Sequence, residues 1–151
     1  MKSAQTTTHV QLLLDSYRRW TGKDLVSRED VPELDAESLW EAPFVVVSHG
    51  TEADPVLNYG NRAALALWEM DWEEFCGTPS RLTAESPQRG ERERLLKTVT
   101  ERGYIDDYRG IRISKSGRRF QIEDAIVWNL LDGRENYRGQ AAAFSKWIYL
   151  P

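Results

Sequence analysis

The chain has 151 residues, of which 40% are hydrophobic and 29% charged, and this composition indicates one globular domain and excludes intrinsic disorder. A formal net charge of -4 argues against a nucleic-acid partner, and the N-terminal residues lack the apolar run of a signal peptide or a membrane span. Because Cys76 is the only cysteine, no internal disulfide can form, and we expect a soluble cytoplasmic protein without a membrane partner.

Residues 1–42 predict an N-terminal helical extension. Thr8 is placed to cap a first helix, in which apolar side chains recur with helical spacing at Val10, Leu13, Leu14 and Tyr17. Asp35 is placed to cap a second, short helix over residues 36–41. An isolated amphipathic helix is marginal in water, so the stripe of the first helix should pack on a sheet or on a second copy of the chain.

Five strands are predicted after this extension. Asn61 is expected to cap the first of the helices between the second and third strands, and Asp71 with Glu74 forms a capping box in front of another. Short turns join the last three strands, so they should form an antiparallel meander. The order predicts an α+β domain with a five-stranded antiparallel sheet and helices packed on one face. The strand ranges are 44–49, 56–59, 104–114, 120–130 and 139–148.

Several segments resemble the MEKHLA domain family, which is PAS-like, over residues 43–151. These segments are APFVVVSHG, DPVLNYGNRAALALWEM, YRGIRIS, IEDAIVWNL and GQAAAFSKW, and in order they are most similar to the stand-alone bacterial type of the family. The resemblance implies a cavity between the sheet and the central helices. Some PAS domains hold a small molecule in that cavity, and others mediate dimers or contacts with a protein partner.

The resemblance places a candidate ligand site between the sheet and the helices of residues 61–102. Its expected walls are Tyr59, Trp68 and Trp128, with alanines of the fifth strand, and its expected polar groups are His49, Asn58 and Asp124. Strand alternation puts Phe120, Ile122, Asp124, Ile126 and Trp128 on one face. A lone carboxylate in such a row is costly to bury. Asp124 is therefore either a polar anchor in the pocket or a residue that a β-bulge turns to solvent.

The cofactors of photosensory and haem-binding PAS domains are not expected. Flavin-adduct domains carry their cysteine in a motif of which EEFCGTPSRL keeps little, and Cys76 precedes the glycine. Haem needs an axial ligand, and the helix before the third strand has no histidine. His9, His49 and Cys76 also lack the spacing of a zinc site, so we expect no cofactor and no metal.

These features favour a non-enzymatic sensor or interaction module that binds a small molecule or a protein partner and signals through dimerisation. The alternative is a small cavity enzyme in which His49 and a carboxylate perform acid–base chemistry. No nucleophile elbow or phosphate-binding loop is present, and neighbouring Ser48 and His49 should point to opposite faces of their strand, so no catalytic residue is assigned. The arginines of the third and fourth strands are expected to lie on a solvated face of the sheet: Arg109, Arg112, Arg118 and Arg119.

Overall fold

The structure, a computed structural model, describes residues 4–151 as one antiparallel sheet with helices on both faces. The strands are β1 (Val45–His49), β2 (Leu57–Gly60), β3 (Tyr104–Ile113), β4 (Arg119–Leu131), β5 (Tyr137–Phe144) and β6 (Lys146–Tyr149). The helices are α1 (Ala4–Thr21), α2 (Pro32–Glu41), α3 (Arg62–Trp68), α4 (Trp72–Phe75) and α5 (Ser86–Arg102), with a short 3-10 segment at Ser80–Thr83.

The sheet confirms the predicted α+β architecture and adds one strand to it. Its order is β2-β1-β5-β4-β3, and all described pairs are antiparallel. The predicted fifth strand breaks at Ser145, after which β6 pairs with the first half of β4. The fifth and sixth strands therefore both pair along one edge of β4, while β3 occupies the other edge.

Helix α1 packs on one face of the sheet. Its side chains Val10, Leu13 and Leu14 are fully buried against Trp128 and Leu130 of β4. The predicted stripe thus contacts the chain's own sheet, which leaves this stripe unavailable to a second copy. The division at residue 42 stays a prediction, although α1 and the sheet share one core.

Two predicted caps in the N-terminal region are wrong. Helix α1 already begins at Ala4, so Thr8 lies inside it. Helix α2 begins at Pro32, and Asp35 lies within its first turn instead of capping it. Asp35 is nevertheless buried, because its carboxylate accepts from Arg28 Nε at 2.9 Å and from the Glu29 backbone at 2.9 Å.

The other predicted caps are confirmed, and Asn61 does more than cap α3. Its Oδ1 accepts from the backbone N–H groups of Ala64 (3.2 Å) and Val46 (3.1 Å), and its Nδ2 donates to the carbonyls of Leu39 (3.1 Å) and Phe44 (2.8 Å). Asn61 therefore ties α2, β1 and α3 together from a fully buried position. Asp71 caps α4 through Glu74 N at 2.8 Å.

Candidate functional site

A small cavity of about 80 Å³ lies between the sheet and helices α3, α4 and α5, where the sequence places the ligand site. Most of its wall is apolar, including Trp68, Leu57, Phe75, Leu95, Ile122, Ala125, Val127 and Phe144. The polar residues that line it are Ser48, His49, Ser80, Thr83, Arg92, Tyr108, Arg112 and Gln140, of which Ser48 directs its hydroxyl to the other face, towards His9. An apolar wall that also carries polar groups is the usual composition of a small-molecule site.

A β-bulge in β4 decides which residues face this cavity. Asp124 adopts a left-handed backbone with a φ of 50°, and the opposite Asp107 of β3 has a φ of 61°. The β3–β4 register is irregular around this point, so the alternation of side chains shifts by one residue. Ala125 and Val127 therefore face the cavity, while Trp128 packs against α1. The predicted common face of Phe120, Ile122, Ile126 and Trp128 is wrong for this reason.

Two of the six predicted ligand-binding residues, His49 and Trp68, line the cavity. Tyr59 and Trp128 are buried in the core beneath α1, on the opposite face of the sheet. Asn58 is exposed at the end of the first hairpin, where it accepts a hydrogen bond from Ser48 Oγ at 2.5 Å. The structure places these three outside the cavity because strand parity directs them to the other face or to solvent.

Asp124 also lies outside the cavity. Of the two expectations for this residue, the structure agrees with a β-bulge that turns its side chain to solvent. Its side chain is 56% exposed and forms an ion pair with Lys146 Nζ at 3.2 Å. That lysine holds the pKa of the Asp124 carboxyl below its usual range. The pocket-anchor alternative is wrong, since a left-handed residue at the bulge turns its side chain to solvent.

His49 lines the cavity, and one of its ring nitrogens is buried without a hydrogen-bond partner. Its Nδ1 lies 3.0 Å from the Gly50 carbonyl oxygen, which can only accept, so Nδ1 carries the hydrogen. Burial lowers the pKa of His49, and the positive charge of Arg92 lowers it further. His49 is therefore neutral near pH 7, and its unpartnered Nε2 is a hydrogen-bond acceptor. Trp68 Nε1 is a second buried, unpartnered group, and it is a donor.

Two buried arginines of the wall were not predicted. Arg92 of α5 and Arg112 of β3 are only 5% and 8% exposed, so the expected solvated face is wrong for Arg112. Arg92 precedes Leu95, Leu96 and Val99 at the first position of the inward stripe of α5, and this spacing could have revealed it. Arg112 shares the cavity face of β3 with Tyr108, whose ring centroid lies 5.8 Å from its Cζ.

The enzyme alternative requires His49 and a carboxylate in one cavity. Among the described residues that line it there is no aspartate or glutamate. A different Ser–His contact does occur beside α1, where His9 Nε2 lies 2.9 Å from Ser48 Oγ. The Ser48 hydroxyl donates to Asn58, so it accepts from His9, and His9 cannot act as its base. The geometry therefore supplies no acid–base pair at either place.

The residues present do not fit a flavin adduct. Cys76 does not line the cavity, and burial raises the pKa of its thiol to about 11, which keeps it protonated. The cavity is also smaller than the roughly 150 Å³ that accommodates a single benzene ring. Within residues 4–151, no group of three or more His, Cys, Asp or Glu side chains is arranged for a metal ion. No helix in that range is long and apolar enough to cross a bilayer.

The comparisons with known proteins agree on family and fold. Residues 7–149 match the MEKHLA domain. The homeobox-leucine zipper protein ATHB-15 of Arabidopsis thaliana is 25% identical over 97% of this chain, although the chain spans only 18% of that protein's length. A PAS domain from Colwellia psychrerythraea superimposes with a TM-score of 0.66 at 12% identity, covering 80% of this chain and 98% of that one.

A light-oxygen-voltage domain gives the same architecture. The LOV domain of the Erythrobacter litoralis EL346 blue-light activated histidine kinase has a TM-score of 0.57 at 20% identity, covering 73% of this chain and 98% of that one. At these identities the solved structures establish the fold, which is that of a PAS domain with an additional N-terminal helix across the sheet.

Proposed function

The chain belongs to the MEKHLA domain family, and from that premise we propose that it is a non-enzymatic sensor module whose cavity binds a small molecule. The observation that carries the proposal is the partly open cavity between the sheet and α3–α5, whose lining residues His49 and Trp68 each have a buried, unpartnered polar atom. Buried polar groups are normally paired, and a ligand would supply the missing partners. With a single cysteine, we assign the module to the cytoplasm.

We further propose that ligand binding changes association with a second copy or with a protein partner. Strand β5 lines the cavity through Gln140 and Ala142 and continues past Ser145 into β6. On β6, the large side chains Ile148 and Tyr149 are 55% and 44% exposed. A ligand that shifts β5 would therefore act directly on an exposed apolar pair, the kind of surface that another protein covers.

A thermal-shift screen of small metabolites tests ligand binding. Wild-type protein should be stabilised by at least one compound, because a ligand that binds only the folded state raises its melting temperature. Ala125→Met places a larger side chain in the cavity, and the same compound should then give no shift. Ala53→Met adds that side chain at an exposed loop position and should keep the response. Equal shifts in Ala125→Met and wild type would contradict binding in the cavity.

Light scattering coupled to size exclusion tests the association step. The molar mass of the wild-type protein should change when the stabilising compound is added. Ile148→Lys should abolish this change while preserving the thermal shift, because β6 lies outside the cavity wall. A molar mass that stays the same with saturating compound would refute the association step alone.

A further inference from the structure

The cavity wall contains two buried cations and no anion to balance them. Arg92 and Arg112 both line it, and a guanidinium remains protonated inside proteins. Among the described residues, neither arginine forms an ion pair, and no carboxylate lines the cavity. The exposed Arg109 on the same strand, in contrast, pairs with Glu123 at 2.8 Å. Burying a charge without a counterion costs free energy, so the two unpaired arginines would be stabilised by a bound anion.

The protein uses only a minority of the hydrogen-bond donors on these arginines. Arg92 Nη2 donates to Ser80 Oγ at 2.6 Å. Arg112 donates to the carbonyl of Ile111 at 2.9 Å and to the Tyr108 hydroxyl at 3.2 Å. Each guanidinium carries five N–H donors, so most of them have no protein partner. All of these acceptors are neutral, whereas a guanidinium binds most strongly to an anion.

One acidic group, Glu91, reaches Arg112 only through Tyr108. The Tyr108 hydroxyl donates to Glu91 at 2.9 Å and 3.2 Å, so this residue separates Glu91 from Arg112. Burial lowers the pKa of Arg92, and the charge of Arg112 lowers it further. Glu93 and Asp54, which do not line the cavity, offset only part of this lowering of the pKa. An anion bound between the two cations would replace their repulsion with two attractions.

A glycine preserves the arrangement on β3. Gly110 lies between Tyr108 and Arg112 on the same face, and a methyl group there would collide with the Tyr108 hydroxyl and lie 3.0 Å from Arg112 Nη1. Any side chain at this position would displace one of the two neighbours. The strand is therefore built so that Arg112 can lie against the Tyr108 ring with its remaining donors available to the cavity.

The volume and the rest of the wall restrict which anion fits. The cavity volume of about 80 Å³ is roughly half the 150 Å³ that accommodates benzene, so it suits a group of about three to five non-hydrogen atoms. Trp68, Phe75 and Phe144 give part of the wall an apolar surface. Phosphate or nitrate would satisfy the arginines and leave this surface without contacts. A neutral molecule would leave the arginines unbalanced.

We propose that the cavity binds a short carboxylate, with the carboxylate group held by Arg92 and Arg112 and the hydrocarbon part against the aromatic side chains. Since it names the ligand class for the same cavity, this inference rests on the proposed function. The unpartnered Nε2 of His49 accepts a hydrogen bond, so a hydroxyl group on the ligand would gain a partner there. A hydroxycarboxylate of two or three carbons therefore suits the wall best.

Isothermal titration of the 151-residue protein at constant ionic strength tests the proposal. The probes are acetate, glycolate, their neutral counterpart acetamide, and inorganic phosphate and nitrate. Wild type should bind the two carboxylates saturably, glycolate more tightly than acetate, and the neutral and inorganic probes at least tenfold more weakly. Arg92→Gln and Arg112→Gln should each weaken carboxylate binding by about 30-fold or more, as expected when one member of a buried charge pair is lost. Arg94→Gln, at an exposed position of the same helix, should leave it unchanged.

The wild-type titrations decide the question even if an arginine variant fails to fold. Equal or tighter binding of phosphate or nitrate would overturn the assignment of a carboxylate. Binding of acetamide as tight as that of acetate would overturn the role of the arginines and leave the ligand-binding cavity standing. No carboxylate binding in a protein that is stabilised by some other metabolite would overturn this inference alone. Absence of any cavity ligand would overturn the proposed function together with it.

Discussion

His9 should make the stability of the fold depend on pH. Its ring lies between α1 and the sheet, with Nε2 2.9 Å from Ser48 Oγ. Burial lowers the pKa of His9 from 6.5 to about 4, so the folded protein resists protonation that the unfolded chain accepts. Because the pKa of His9 is lower in the folded state than in the unfolded chain, the contribution of His9 to the free energy of unfolding is complete above about pH 6.5. This contribution is lost as the pH falls towards 4.

The size of the effect follows from the two pKa values. A separation of about 2.5 units corresponds to a maximum of about 3 kcal/mol. Between about pH 8 and about pH 5, only part of this difference is expressed, and linkage gives a loss of roughly 2 kcal/mol. Most carboxylates titrate below this pH window, so protonation of the histidines causes most of the change in stability within it. The depressed pKa of His49 adds a loss of the same sign.

Urea denaturation at several pH values, followed by tryptophan fluorescence, measures the effect. His9→Gln cannot be protonated, and its unfolding free energy should fall by roughly 2 kcal/mol less than that of wild type over the same window. Thr8→Ala, at an exposed position of α1, should retain the wild-type dependence. Identical pH dependence in wild type and His9→Gln would refute the burial argument for His9.

Two further substitutions examine the fold around the site. Asn61→Ala removes four hydrogen bonds and leaves buried backbone groups without partners. It should therefore lower the free energy of unfolding in urea by about 3 kcal/mol, whereas the exposed cap variant Asp71→Ala should lower it by about 1 kcal/mol. Equal losses would contradict the role of Asn61 in joining α2, β1 and α3. Asp124→Gly should change the free energy of unfolding by less than about 0.5 kcal/mol, because glycine adopts a φ of 50° without strain. Asp124→Val should reduce it by about 1–3 kcal/mol, because a β-branched side chain is strained at that φ. Neither variant of Asp124 should alter ligand binding, and loss of binding in both would place the residue back in the site.

Much of the fold could be predicted because local patterns and tertiary packing agree. The stripe of α1, the caps at Asn61 and Asp71 and the five strand ranges follow from spacing and side-chain chemistry alone. The break at Ser145 could not be predicted, because no strong breaker marks it. The start of α1 was misplaced because several cap-forming residues, Ser3 and the threonines at positions 6–8, precede the apolar stripe. Both differences concern the ends of elements and leave the architecture unchanged.

The candidate site was harder to predict because it depends on strand parity. One bulged residue, Asp124, moves Trp128 away from the cavity and brings Ala125 and Val127 to it. An aspartate in an apolar row allows a bulge as well as an anchor, and only the paired irregularity in β3 decides between them. Arg112 was misplaced for a similar reason, since an arginine on a strand is usually solvated and its burial depends on the groups opposite.

The most direct test of the cavity as a ligand site is protein-detected NMR. The protein is titrated with a panel of small fragments that includes short carboxylates. Saturable shifts should cluster on backbone amides of the wall, such as those of His49, Ala125 and Ala142, with smaller changes at Leu13 and Tyr59 beneath α1. Saturable shifts confined to the face beneath α1 or to the exposed surface, with none at the cavity wall for any fragment, would contradict a ligand site in the cavity.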